Sequence, residues 1–420
     1  MNFKNLSFIN LITYFIISLY TIFLINIISN KGTDLSLLPL FFFTTIPLVF
    51  YFRKFHINNT LIFILISPII FISLNELLLK PNLELTSDLK WFENRSKEYK
   101  YQFLELGLLF TLATSIILSK FNTKHFFSIL LISLIVSIGL NGYTNLILNF
   151  DRDLLANTFR PIILYDYTNI ALTLIALCYG FHLKNNSSYI VILLALINLA
   201  IIVLHGSRGA WLGLPFAFIL IFILYFKTSF KKIIITSTLS LGALISSLLI
   251  PNSPIYERLN AFNQDTESLA SANYNTSVGT RIALWRFAIS EFPQAPITGV
   301  GIMQLRENIC EYDQKVTQLD QCQPHVHSLY LQALAAHGIL GLLSILILIL
   351  TPLAFFIHSI RINNNSNTQL LAGSGIIFTT YLSICFLTDN YFYASRHTMF
   401  YYIIVITLIA LIMKEKLNKI

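Results

Sequence analysis

Apolar runs of about 20 residues recur from one end of this 420-residue chain to the other, and that recurrence limits its fold more than any motif does. Crossing a hydrocarbon core of roughly 30 Å as a helix takes about 20 apolar residues, because in lipid every backbone N–H and C=O must be satisfied within the protein. With 55% hydrophobic and 11% charged residues and a mean hydropathy of +0.69, the composition excludes a water-soluble domain. We read an all-α polytopic membrane protein of about twelve transmembrane helices, at 6–28, 35–52, 60–78, 101–119, 125–143, 162–182, 189–204, 210–226, 232–250, 328–357, 368–387 and 398–413. The first run is too long for a secretory signal and no small-x-small cleavage site follows it, so it is read as a retained span. The chain then divides into a nine-helix part (1–250), one large polar loop (251–327) and a three-helix part (328–420).

Charge sets the expected orientation. With the N-terminus inside, the inner segments carry Lys4, Arg53, Lys54, Lys120, Lys124, Lys184, Lys227, Lys231, Lys232, Arg361, Lys414, Lys416 and Lys419 against a single acid, Glu415. That is the asymmetry of the positive-inside rule. The formal charge of +8 is thus a topology signal, and basic residues scattered over short inner loops exclude a nucleic-acid surface. On the outer side, 79–100 mixes charges with Trp91, Phe92 and Tyr99, which reads as a helix lying at the membrane interface. The large loop contains one expected helix, from Thr280 to Phe292, with Arg281, Trp285 and Ala288 on one face, ended by Pro293 and Pro296.

Ionisable groups at the ends of membrane helices are expensive, and five of them fall on that outer side. They are Arg208 in Ser207-Arg208-Gly209, Arg281, His327 where the loop re-enters the membrane, and Asp389 and Arg396 in the last outer turn. Guanidinium forks bind phosphate oxygens bidentately and stay charged, so Arg208 and Arg281 can hold a pyrophosphate. A histidine titrates near neutrality and can take a proton from a hydroxyl. Together these suit glycosyl transfer from a lipid-linked sugar pyrophosphate to an acceptor hydroxyl. Each residue also has a plainer reading. A lone arginine near a helix end is commonly an interfacial anchor, and Asp389 and Arg396 could simply pair. His325 and His337 read as packing residues, and Arg258, Arg286 and Arg306 as solvated loop charges.

Gly299-Val300-Gly301 lacks the third glycine and the flanking strand and helix of a nucleotide site, so it reads as a tight turn. Asp313 and Asp320 lie near His325 and His327, but no metal-ligand spacing appears, and neither a metal nor a cofactor is expected. Cys310 and Cys322 share the outer loop, where either a disulfide or two free thiols would be stable.

The sequence resembles bacterial O-antigen ligases, within a superfamily that also holds O-antigen polymerases and protein O-oligosaccharyltransferases. The resemblance rests on His327-Ser328, nine residues, then Gly338-Ile339-Leu340-Gly341, and on Ser207-Arg208-Gly209, Tyr256-Glu257-Arg258, Val278-Gly279-Thr280-Arg281 and Leu387-Thr388-Asp389. It covers roughly residues 200–400. It implies a metal-independent, inverting transferase of the GT-C type in the bacterial inner membrane, with its active site facing the periplasm. The implied donor is undecaprenyl-pyrophosphate-linked O-antigen and the implied acceptor is the lipid A core oligosaccharide, the chemistry of lipopolysaccharide biosynthesis. By position, His327 would be the general base, and Arg208 and Arg281 would hold the leaving pyrophosphate. Arg396 and Asp389 would add to substrate binding, while Gly338 and Gly341, with Ala333, Ala335 and Ala336, would let the His327 helix press against a neighbour. A polymerase or protein O-oligosaccharyltransferase would differ only in acceptor. A twelve-span transporter would want its ionisable groups near the bilayer midplane rather than at one rim.

Overall fold

A computed structural model describes residues 112–417 apart from 114, 250–252, 272, 317–321 and 394, together with isolated residues between 10 and 29. The expected spans 35–52 and 60–78 and the interfacial segment 79–100 lie outside the described residues, as do parts of the first and fourth spans. All regular structure among the described residues is helical. In chain order the helices are α1 Thr123–Ile147, α2 Arg152–Thr158, α3 Ile162–His182, α4 Ser187–Val203, α5 Arg208–Leu212, α6 Leu214–Leu249, α7 Pro254–Ala270, α8 Ser277–Glu291, α9 Ile302–Val316, α10 Leu329–Ile362, α11 Ser366–Cys385 and α12 Ser395–Leu417. Among the described residues, six helical stretches are long and apolar enough to cross a membrane: Thr123–Ile147, Ile162–His182, Arg208–Gly242, Leu329–Ile362, Ser366–Cys385 and Arg396–Leu417. The chain is a multi-pass membrane protein.

α3 is the axis of the bundle. It packs most extensively against α4 and α11 and is buried along nearly its whole length, whereas α6 turns Phe216, Ile219, Ile223 and Leu239 outward, as a lipid-facing helix does. Since lipid is as apolar as a leucine side chain, burial alone does not hold such helices together. Polar pairs do part of it. Tyr165 donates to Asn141 at 2.7 Å, Ser137 to Asn169 at 3.1 Å and Asn198 to Thr173 at 2.7 Å, linking α1, α3 and α4. Interhelical bonds of this kind contribute about 0.6–2 kcal/mol each.

The two ends of the bundle are chemically different. One gathers the residues expected inside: Lys414 donates to carbonyls of Ser119 and Phe121, Lys232 to Leu183, and Glu415 accepts from Thr123, Asn365 and Asn367. The other gathers Arg208, Arg281, His327 and Asp389. Between these ends α6 behaves differently from one straight helix. Its hydrogen-bonded run is continuous but non-helical at Ser229 (φ −140°), whose hydroxyl meets Phe181 O at 2.6 Å at the basic end. The start of α6 follows Arg208, and its end leads into α7, where Asp265 pairs with Arg208. Both termini of α6 thus lie at the far end, and the chain doubles back at the Ser229 break, consistent with two spans at 210–226 and 232–250.

Two expectations are corrected. The large loop holds three helices, α7, α8 and α9, rather than one; α7 and α9 are too polar to register as apolar runs. And α10 is not a continuous span. At Gly338 the backbone leaves the helix (φ +62°, ψ −158°), a region essentially confined to glycine. The segment 296–301 inserts there. Val300 and Gly301 donate to the carbonyls of Ala335 and Ala336, while Ile339 and Leu340 donate to those of Pro296 and Ile297, at 2.9–3.3 Å. Gly299 and Gly301 take positive φ to make this turn, as the pair suggested. Gly338 therefore admits a loop rather than a neighbouring helix, since a side chain there would strike the backbone of Ile297. Gly341 is tight against its own preceding turn, at His337 and Ala333.

Gly338→Ala is expected to lower stability by about 1–3 kcal/mol from the backbone alone, with the clash at Ile297 adding to it. Gly139→Ala, in open space on α1, should be neutral or slightly stabilising. Melting midpoints of the two purified variants in one detergent check this; equal midpoints would refute the assigned role of Gly338.

Candidate active site at the end opposite the basic loops

Thr276 caps α8, its hydroxyl accepting from Gly279 N at 3.0 Å, and this aims Arg281 and Trp285 inward from successive turns. Arg281 Nε donates to Thr388 O at 3.2 Å, and its Nη1 is braced by Ser277 O and Oγ at 2.9 and 2.8 Å. The Thr388 hydroxyl lies 2.9 Å from Tyr167 OH, and a side chain on Gly209 would collide with both. Residues 208–209, 281 and 388 therefore meet at one spot, although they are far apart in the chain.

One residue further, Asp389 faces two histidines. Its Oδ1 is 3.4 Å from His327 Nδ1 and 3.6 Å from His325 Nε2, and it accepts from Asn390 N at 2.8 Å. Both histidine contacts are longer than a good hydrogen bond and within ion-pair range. Burial pushes the Asp389 carboxyl up, but His327, His325 and Arg281 more than offset this and leave it well below the usual carboxylate range. Asp389 is 4% exposed, so its carboxylate serves the histidines and does not face open solvent.

His327 is held from every side. Its φ is +51°, its carbonyl accepts from Trp285 Nε1 at 3.1 Å, and Ser328 caps α10 immediately after it. Its Nε2 lies 3.1 Å from Gln323 Oε1. Gln323 is fixed in turn, because its backbone N–H donates to Asp313 Oδ2 at 2.8 Å and Cys322 is bridged to Cys310 of α9, with a Cα–Cα distance of 4.8 Å.

His325 had read as a packing residue, and the spacing of the sequence could not show otherwise. Its Nδ1 accepts the His327 amide at 3.2 Å, so its proton sits on Nε2, toward Asp389. Burial, then His327, Arg281 and Arg306, push its pKa down to about 3. It is neutral, with Nε2 turned toward the carboxylate at 3.6 Å. His325, His327 and Asp389 offer three ligand atoms within 4.8 Å of one another, a set that could hold a metal ion and is invisible in sequence because Asp389 comes from beyond α11. A metal at that point would have to displace the proton from His325 Nε2.

Arg208 pairs with Asp265 of α7 at 2.6 Å and lies over the Phe262 ring. Arg396 is half-buried at the first turn of α12. Of the arginines read as solvated, only Arg286 is exposed; Arg306 donates to Cys322 O at 3.1 Å, and Arg258 packs half-buried against Gly206. Packing against residues distant in sequence decided both. Asp320 lies outside the described residues.

Residues 190–346, which include Arg208, Arg281 and His327, match the sequence profile of the family described as O-antigen ligase. Over that stretch the chain is similar to the O-antigen ligase family. It is 26% identical over 169 residues to the O-antigen ligase of Escherichia coli K12, covering 39% of this chain and 40% of that one. An uncharacterized protein of Haemophilus influenzae is 31% identical over 225 residues, 51% of this chain and 54% of its relative. The chain thus aligns with about half or less of the length of these curated relatives. The profile match ends before Asp389, the acid that faces the two histidines.

A histidine kept neutral in the fold but titrating near 6.5 in the unfolded chain contributes stability above that value and loses it as pH falls toward 3. Asp389, depressed in the fold, contributes stability above about 4 and loses it below. The melting midpoint should therefore fall as pH is lowered from about 7 to about 4, and His325→Gln should flatten that slope. An unchanged slope in the variant would show that His325 is not buried neutral.

Proposed function

We propose that this protein is an O-antigen ligase, transferring a glycan from undecaprenyl pyrophosphate to a hydroxyl of the lipid A core oligosaccharide at the periplasmic face of the bacterial inner membrane. The observation that carries this reading is the meeting of His327 and Asp389 with Arg281 and the Arg208 turn around Thr388, at the end of the bundle away from the basic loops. A transporter would draw on ionisable groups at mid-bilayer; these are gathered at one rim.

The chemistry follows the logic of an acid–histidine pair. Gln323 Oε1 accepts from Nε2–H of His327 and stands where the acceptor hydroxyl would bind. When that hydroxyl replaces it and the imidazole proton moves to Nδ1, facing Asp389, Nε2 is left as the base. As Nε2 takes the hydroxyl proton, the oxygen attacks the anomeric carbon and the bond from that carbon to the phosphate oxygen breaks. Undecaprenyl pyrophosphate leaves with the electron pair, its growing charge met by the Arg281 and Arg208 guanidinium groups. A single displacement of this kind inverts the anomeric centre. No metal is needed, since arginine meets the phosphate charge.

Purified protein supplied with lipid-linked glycan and, separately, with lipid A core, a peptide or a second lipid-linked glycan tests the acceptor; glycan appearing on peptide or on the second glycan instead would overturn the ligase reading. His327→Ala should lower transfer by about 100-fold or more with normal membrane insertion, and a near-normal lipopolysaccharide ladder in that variant would remove the base role. Arg281→Lys should lose on the order of 100-fold, because a point charge cannot replace a fork. EDTA should leave the rate unchanged, and its inhibition would reinstate a metal.

A further inference from the structure

The segment that reaches His327 is fastened to α9 three times before it arrives. Arg306, Cys310 and Asp313 follow one another at spacings of four and three residues, so they share one face of α9. Arg306 Nη2 donates to Cys322 O at 3.1 Å, Cys310 is bridged to Cys322, and Asp313 Oδ2 accepts from the backbone N–H of Gln323 at 2.8 Å. On the neighbouring face of α9, Leu305 and Ile309 belong to one buried apolar cluster with Leu284 and Phe287 of α8 and Ala335 of α10, so α9 is a rigid anchor. Val326 is buried in the same cluster, and its backbone N–H donates to Gln332 Oε1 at 3.0 Å. Both ends of the segment 322–326 are therefore fixed, and the side chain that it presents to His327 is that of Gln323.

Gln323 Oε1 lies 3.1 Å from His327 Nε2, the nitrogen that the proposed reaction uses, while Nδ1 is buried and faces Asp389. A side-chain amide carries an acceptor oxygen and two N–H donors, so it can take one hydroxyl of a saccharide while another is turned toward the base. Such geometry tolerates little drift, since misplacing reacting groups by about 1 Å can lower a rate on the order of 100-fold. The hydrogen bonds at Cys322 and Gln323 are only part-buried and can open. A covalent closure between residues 12 apart in the chain cannot, and it removes most of the loop's alternative conformations. We propose that the Cys310–Cys322 bridge is a positioning device for the acceptor: it holds the Gln323 amide at Nε2 of His327, where Gln323 orients the sugar that bears the reacting hydroxyl. The identity of the acceptor rests on the function proposed above, while the link from bridge to His327 does not. A dithiol undoes the device by giving two electrons and two protons; the S–S bond breaks, two thiols form, and the reagent itself closes to a disulfide. Gln323 is then left on its hydrogen bonds alone.

Diethyl pyrocarbonate, which acylates a neutral imidazole nitrogen, reads the His327 end without any substrate, because the buried Nδ1 leaves Nε2 as the reactive atom. Cys178 and Cys385 are free and buried, so dithiothreitol acts at the bridge. In the full-length protein in nanodiscs it should raise labelling of His327, followed by peptide mass spectrometry, and the KM for lipid A core, each by about threefold to tenfold, the loss of one hydrogen bond. The KM for the lipid-linked glycan should stay unchanged. Gln323→Ala should show both changes without reductant, and dithiothreitol should add nothing to it. The double variant Cys310→Ser/Cys322→Ser should match the reduced wild type, which carries the test alone if that variant does not fold. Unchanged labelling of His327 on reduction, or an equal further change in Gln323→Ala, would overturn the proposal and leave the proposed function standing. Labelling of the buried His337 together with His327, or an equal rise in the donor KM, marks general loosening and overturns it as well. Labelling that follows the bridge and Gln323 as stated, in a protein that gives its glycan to another acceptor, keeps the bridge-to-histidine link and sinks the lipid A reading instead.

Discussion

In an apolar surrounding a backbone amide cannot be left unpaired, and the break in α10 at Gly338 is where this chain meets that constraint most tightly. Two helical hydrogen bonds are given up there, and the segment 296–301 replaces them with four of its own. The exchange frees the first turns of α10, which carry His327 and Ser328 at their head, from the direction of the remaining span. It also fastens the large loop to the bundle, because the inserted segment joins α8 to α9. Arg281 and Gln323, one on each side of that insertion, are thereby brought to His327. The site depends on a glycine whose role is conformational.

Around His327 the balance is electrostatic. Burying Asp389 would ordinarily favour its neutral form, yet two imidazoles and a guanidinium make the carboxylate the cheaper state. His325 does the opposite: burial and neighbouring cations keep it neutral. One histidine is thus held with its proton toward the acid, while the other has its two nitrogens turned to different partners, an acid and an amide. Both pKa values are pushed down, which leaves the acid charged and the histidine neutral, and perturbed groups of this kind cluster at functional sites.

Much was legible from residue types in order. The expected spans from 125 onward overlap observed helices, with 210–226 and 232–250 falling in one helical run interrupted at Ser229 and the break at Gly338 dividing the one expected at 328–357. Arg208, Arg281, His327 and Asp389 stood out because charges at a membrane rim are costly. The helices α7 and α9 were not foreseen, since their amphipathic faces are short and polar and are stabilised by contacts that periodicity does not report. His325 was set aside for the same reason. Nothing near it in the chain announces an aspartate that arrives after another whole span.

By itself the sequence determined that this chain lives in a membrane, which end of the bundle is basic, and which few polar groups had to be explained. Those follow from transfer free energies, which belong to single residues and simple windows. Only the tertiary structure decided that Asp389 answers two histidines, that a loop passes into a helix at Gly338, and that Arg258 fills the space beside Gly206. Each is a contact between segments tens to hundreds of residues apart, and such contacts come from packing, which local composition does not encode.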